Sequence, residues 1–127
     1  MDLTHIHAFT AAMQKKDLDT MLSQMAEGVV LNTPLTAEPV HGKVAIREVV
    51  GPLLRIVDSF DFQEVMEGPL HVSSFFKVTV DSVTVDAMDF WRLDDTGLIA
   101  EMTVLWRPLP AVAEVARILS EGQTNQG

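Results

Sequence analysis

Asp89 is the residue whose type and setting most invite chemistry. From Val83 to Leu93 apolar and polar residues alternate with the two-residue period of a strand. Val83, Val85, Ala87, Asp89, Trp91 and Leu93 share one face, and Asp89 is the only charged side chain on it. Thr84, Asp86, Met88, Phe90 and Arg92 share the other. Between residues 98 and 107 a second strand sorts in the same way, with Leu98, Ala100, Met102, Val104 and Trp106 on one side and Ile99, Glu101, Thr103, Leu105 and Arg107 on its opposite. The two apolar faces are expected to turn inward and to carry Asp89 with them. A carboxylate buried without partners is costly, so Asp89 must be paired, hydrogen-bonded or protonated. An acid in an apolar cavity suits general acid–base chemistry. A structural hydrogen bond to a helix terminus or backbone amide is the other reading, and the residues leave both open.

Around Asp89, the candidate ligand-binding residues are Phe9, Met13, Thr33, Trp91, Met102, Val104 and Trp106. The two tryptophans are expected either to wall in a flat ligand or to fill the wide end of the core. Met13 and Met102 lend an adaptable wall, and Thr33 a weak hydrogen-bonding handle. A binding cavity of this kind is expected to reach on the order of 300 Å3. His5 and His7 point in different directions on a helix, His41 lies in a loop, and His71 stands alone on a strand. No metal-ligand set results. No phosphate-binding glycine pattern and no nucleophile–His–acid arrangement is present, so no cofactor is expected.

These residues need elements to hold them. Ile6, Phe9 and Met13 fall on one face of a first helix. Asp17 can cap a second, with Leu18, Met21, Leu22 and Met25 as its stripe and Gly28 as its stop. Val29–Leu31 reads as a short strand, and residues 36–42 as a loop broken by Pro39 and Gly42. A third helix aligns Ile46, Val49, Val50, Leu53 and Val57, with a kink or restart expected at Gly51–Pro52. Strands follow at 60–67, 70–80, 83–93 and 98–107, with connections short enough to make them antiparallel neighbours. Pro108 and Pro110 end the sheet, and a last helix places Val112, Val115 and Leu119 together. The pattern predicts an α+β layer fold, one domain over 1–121 with a frayed tail at 122–127, in which three helices cover one sheet face.

Composition narrows the function classes. The 127 residues include 9 Lys and Arg against 18 Asp and Glu, a formal charge of −9. Such a balance disfavours nucleic acid and anionic membrane surfaces. The absence of cysteine excludes thiolate chemistry and disulfides. The first residues lack the pattern of a secretory signal and no apolar run is long enough to span a bilayer, so the expected compartment is the cytoplasm. The second strand face mixes charges with Met88, Phe90 and Leu105, which predicts a homodimer through it.

Several local motifs resemble known families. Phe9 through Pro34 with Lys16-Asp17-Leu18-Asp19, then Thr33-Pro34-Leu35, Glu38-Pro39-Val40, Gly42 and Ala45-Ile46-Arg47-Glu48, resemble the ketosteroid isomerases and SnoaL-like polyketide cyclases. Asp89-Phe90-Trp91-Arg92-Leu93 followed by Thr96-Gly97-Leu98-Ile99 looks like the last hairpin of that fold. The resemblance implies the nuclear transport factor 2-like superfamily: a cone-shaped cystatin-like fold, helices on a curved antiparallel sheet, with an extra C-terminal helix. It implies a small apolar molecule in the cone, with acid–base chemistry of isomerase, cyclase or hydratase type at Asp89, or a non-catalytic dimeric ligand-binding or interaction module. The isomerases' base corresponds to Thr33, their oxyanion-hole tyrosine to Phe9, and their neutral aspartic acid to Asp89. Threonine cannot take a carbon-bound proton and phenylalanine donates no hydrogen bond, so steroid isomerisation by that route is not expected. The Asp-Arg-Asp relay of epoxide hydrolases of this fold is disfavoured too, since Arg92 has the wrong parity to join Asp89.

Overall fold

The computed structural model describes residues 1–125. Helix α1 (Thr4–Gln14) buries Ile6, Phe9, Ala12 and Met13, the stripe its spacing demands. The Asp2 carboxylate accepts the Thr4 N–H at 2.9 Å near its start. Helix α2 (Leu18–Ser23) is capped by Asp17, whose carboxylate accepts the Thr20 N–H at 3.2 Å. It ends before Met25, so Met25 and Gly28 belong not to the helix but to strand β1 (Met25–Asn32). The cause is tertiary: Met25 pairs with Ile99, and the Ile99 N–H donates to the Gln24 carbonyl at 2.9 Å.

A two-residue strand, β2 (Val40–His41), leads into α3 (Lys43–Ile56). Helix α3 runs through Pro52 without the expected restart. Its buried Ile46 and Leu54 lie on either side of the proline, and packing of that face outweighs one lost backbone bond.

Strands β3 (Ser59–Glu67), β4 (Val72–Val80), β5 (Val83–Leu93) and β6 (Ile99–Arg107) follow the expected order within two residues at each end. The six strands lie in the order β2-β1-β6-β5-β4-β3. All neighbours are antiparallel except β1 and β6, which run parallel. That exception to the antiparallel expectation is permitted because the chain between them is long enough for a crossover. Asp81, at φ 52°, turns the chain between β4 and β5. Gly97, at φ 85°, makes the next turn, where the Asp94 carboxylate accepts the N–H groups of Thr96 (2.8 Å) and Leu98 (3.1 Å).

The sheet is curved and carries irregularities in three of its pairings, the β1–β6 register shifting between Met25 and Val30. Gln63 is an extra residue on β3, between Phe62 opposite Phe76 and Glu64 opposite Phe75. Ala100 is an extra residue on β6, between Ile99 opposite Leu93 and Glu101 opposite Arg92. This second bulge corrects the parity assigned to the start of β6: Ile99, not Ala100, is buried there, while Met102, Val104 and Trp106 keep the inward face.

Helices α1 to α3 cover the inner face, and α4 (Leu109–Asn125) adds a fourth cover with Val115 fully buried. Residues 122–125 of the expected tail are helical, and 126–127 lie outside the described residues. Among the described residues no helix is long and apolar enough to cross a membrane.

Candidate functional site

The inner face of the sheet is a grid of side chains fixed by register. One of its rows runs Val65–Ser74–Asp89–Val104 across β3, β4, β5 and β6. Strand alternation points Asp89 inward, and the residue is 0% exposed. Neither of its carboxyl oxygens has a hydrogen-bond partner among the described residues. The tie to a helix end or backbone amide that the sequence left open is not made. Burial alone pushes the carboxyl up from 3.8 to about 8, so the neutral form of Asp89 predominates at pH 7. A neutral carboxyl has an O–H to donate, which a carboxylate has not.

A cavity of about 60 Å3 lies between this part of the sheet and helices α1 to α3. The fold brings Phe9, Met13, Thr33, Met102, Val104 and Trp106 to its wall together with Asp89. Trp91 is not in the wall. It is fully buried, with its ring 6.1 Å from that of Phe9 at an interplanar angle of 79°. The cavity is also much smaller than the expected 300 Å3. Methionines 13, 21, 25 and 102 and the leucines of α2 and α3 occupy the space. It has room for a few water molecules as it stands.

Reasoning on strands alone missed the opposite wall. Leu18 and Met21 from α2, Ile46, Val49, Val50, Leu53 and Leu54 from α3, and Phe60 and Phe76 from the sheet all line it. The helical residues showed as stripes and Phe60 and Phe76 as strand positions, but nothing local in either pattern says whether it faces a cavity or a solid core.

Thr33 lines the cavity, yet its hydroxyl is already engaged. It accepts the backbone N–H groups of Leu35 (2.8 Å) and Thr36 (3.2 Å), holding the turn after β1. His71 stacks on Phe90 with ring centroids 4.4 Å apart, on the outer side of the sheet. Arg92 is also outside, 3.6 Å from Glu101. Among the described residues no group of three His, Asp or Glu side chains could hold a metal.

The chemistry open to the wall follows from its inventory. Asp89 is its only ionisable side chain, and Trp106 adds a buried indole N–H that no described residue accepts. Both are donors in the neutral state. Such an arrangement can polarise or protonate an oxygen, and the ionised form of the same carboxyl, its basicity raised by burial, can accept a proton.

Solved structures share this fold. A steroid delta-isomerase from Pseudomonas aeruginosa superposes with a TM-score of 0.84 at 16% identity, over 96% of this chain and 90% of its own. A Silicibacter pomeroyi protein with a cystatin-like fold gives 0.78 at 21% identity, over 95% and 88% of the two chains. The epoxide hydrolase/cyclase-like enzyme SalBIII, with a role in pyran ring formation in the polyether salinomycin, gives 0.71 at 18%, over 81% and 88%. At such identities the likeness is one of fold, the nuclear transport factor 2-like and cystatin-like one that the motifs implied. No curated protein matches the sequence. Residues 6–102, which span α1 through the Met102 of the cavity wall, match the SnoaL-like domain, and the chain belongs to that family.

Proposed function

We propose that this SnoaL-like protein binds a small, largely apolar molecule through an oxygen acceptor, with the neutral Asp89 as proton or hydrogen-bond donor. The observation that carries this reading is the unpartnered, fully buried carboxyl on the wall of an apolar cavity. A buried carboxyl without a partner costs stability, which favours an external partner for it. Entry requires the methionine side chains of the wall to move aside, which three rotatable bonds each permit. The activity that fits is acid-assisted, in which Asp89 protonates a carbonyl or leaving oxygen. Isomerisation, cyclisation or hydration begun by carbon deprotonation would need a base that Thr33 does not supply.

The test uses cyclohexanone and methylcyclohexane, a pair of similar shape of which one carries the acceptor. Calorimetry or thermal shift is expected to show the ketone bound more tightly, with Asp89→Leu lowering ketone affinity about tenfold and leaving the hydrocarbon unaffected. Failure of both probes to bind, or equal loss for both, rejects the reading.

A second proposal concerns the outer sheet face. Register places Phe75, Met88 and Leu105 in one row across β4, β5 and β6, with Phe90 in the next. Leu105 is 61% exposed and Phe90 45% exposed. The row beside them is an ion-pair line in which Lys77 and Arg107 each hold Asp86 at 2.8 Å. We propose that a second copy of the chain covers this apolar strip, with the charged row at its rim.

A further inference from the structure

We propose that Ser74 is a positioning residue for Asp89: its hydroxyl donates to one carboxyl oxygen and leaves the other, with its proton, to the cavity. The inference rests on the reading of Asp89 as the polar group of the site, and adds a residue that does not itself line the cavity.

Ser74 and Asp89 are Cα partners in the β4–β5 ladder and lie on the same inner face. Side chains so paired have Cβ atoms roughly 5 Å apart, within the combined reach of a hydroxyl and a carboxyl. Both residues are 0% exposed. The Ser74 hydroxyl, like both Asp89 oxygens, has no partner among the described residues. Its neighbours on β4, Val72 and Phe76, and the residue opposite on β3, Val65, provide none. Two unsatisfied buried groups paired across adjacent strands can satisfy each other, and a change of serine χ1 between its staggered wells redirects the hydroxyl.

The other orphan donors are less well placed. The indole of Trp106 belongs to the row of Ala87, and that of Trp91 to the row of Val72 and Met102. The pairing is also held firmly, since the Ser73 hydroxyl donates to the Asp89 backbone carbonyl at 2.8 Å across the same two strands.

A hydroxyl that donates to Asp89 favours its charged form over its neutral one. Among the described residues no charged or titratable side chain competes for that influence. Those that line the cavity with Asp89 from α1, α2, α3, β1, β3, β4 and β6 are uncharged throughout.

The experiment follows the Asp89 carboxyl carbon by NMR through a pH titration of the ligand-free protein. Ser74→Ala is expected to raise its midpoint by about one pH unit, while Ser74→Thr, which keeps the hydroxyl, holds it. An unchanged or lowered midpoint in Ser74→Ala overturns the proposal. Should Ser74→Ala fail to fold, Ser74→Val is compared with Ser74→Thr, two side chains of one shape. A valine midpoint above that of threonine supports the hydroxyl's role, and one equal to it or below removes it. Since no ligand enters these measurements, a protein that ignores cyclohexanone yet shows the rise keeps Ser74's role and loses the binding site. Ketone binding without the rise does the reverse.

Discussion

The rings of Phe9 and Trp91 meet edge to face, 6.1 Å apart, and this contact divides the two aromatic residues between different duties. Phe9 touches the cavity, and Trp91 stays behind it in the solid core. Trp91→Phe is therefore expected to cost about 1–3 kcal/mol in urea unfolding and to change cyclohexanone affinity less than twofold. Phe9→Ala should cost about 3–5 kcal/mol and alter probe binding as well, because it removes part of the wall. Equal effects of the two variants on binding would place Trp91 in the wall after all.

The raised Asp89 acidity sets a pH dependence whose sign can be worked out. In the unfolded chain this carboxyl ionises near 3.8, and in the folded protein near 8. Between those values the unfolded state has lost the proton and the native state keeps it, so stability falls as pH rises through this window and levels off above 8. Asp89→Asn abolishes that slope. The variant is expected to exceed the wild type at pH 8 by several kcal/mol, each pH unit of separation being worth about 1.4 kcal/mol. Parallel stability curves for the two proteins from pH 5 to pH 8 would show that Asp89 is ionised and paired in the native state.

Those carboxylates held below their ordinary range act in the opposite sense and in another window. Asp86, kept low first by its hydrogen bond from Lys77, and Asp17, kept low first by Thr20, are charged throughout the interval in which Asp89 titrates. Their influence is felt only as the solution becomes more acid than about pH 4, and it does not mask the slope.

Trp106 offers a separation of packing from hydrogen bonding. Its indole N–H is buried and unaccepted, so Trp106→Phe loses area but also relieves an unsatisfied donor. Its stability is expected to change by less than about 1 kcal/mol, while cyclohexanone affinity falls roughly tenfold and methylcyclohexane affinity holds. A parallel loss for both probes would make the residue a wall and nothing more.

The outer face makes a hydrodynamic prediction. The protein is expected to sediment at twice its 14.0 kDa chain mass. Met88→Glu with Leu105→Glu should return it to the monomer by placing like charges on the apolar strip. A wild-type monomer at micromolar concentration ends the dimer proposal.

How much of this was legible in the chain depended on whether a signal was local. Alternation along β5 is local, and it put Asp89 inward and Arg92 outward, where both are found. The motifs around Thr33-Pro34 and Asp89-Phe90-Trp91 pointed to the fold. What the residues could not show was pairing at a distance. Met25 looked helical because its apolar neighbours continue the α2 stripe, and only its pairing with Ile99 makes it a strand residue. Ala100 looked inward because simple alternation does not reveal a bulge. Trp91 has the right parity for the cavity, but parity does not say which part of an inner face is hollow. The engagement of the Thr33 hydroxyl by its own turn was open to inspection, since threonine two and three residues before free N–H groups commonly caps them.

The extra residues at Gln63 and Ala100 have a bearing on how permanent the hollow is. A bulge bends its strand and increases its twist, and these two lie on strands on either side of β4 and β5. The space beneath the sheet then arises from the path of the main chain, with side chains merely filling most of it. Enlarging a methionine or trimming a leucine changes what fits in the remaining volume, while the curvature around it belongs to the strands themselves.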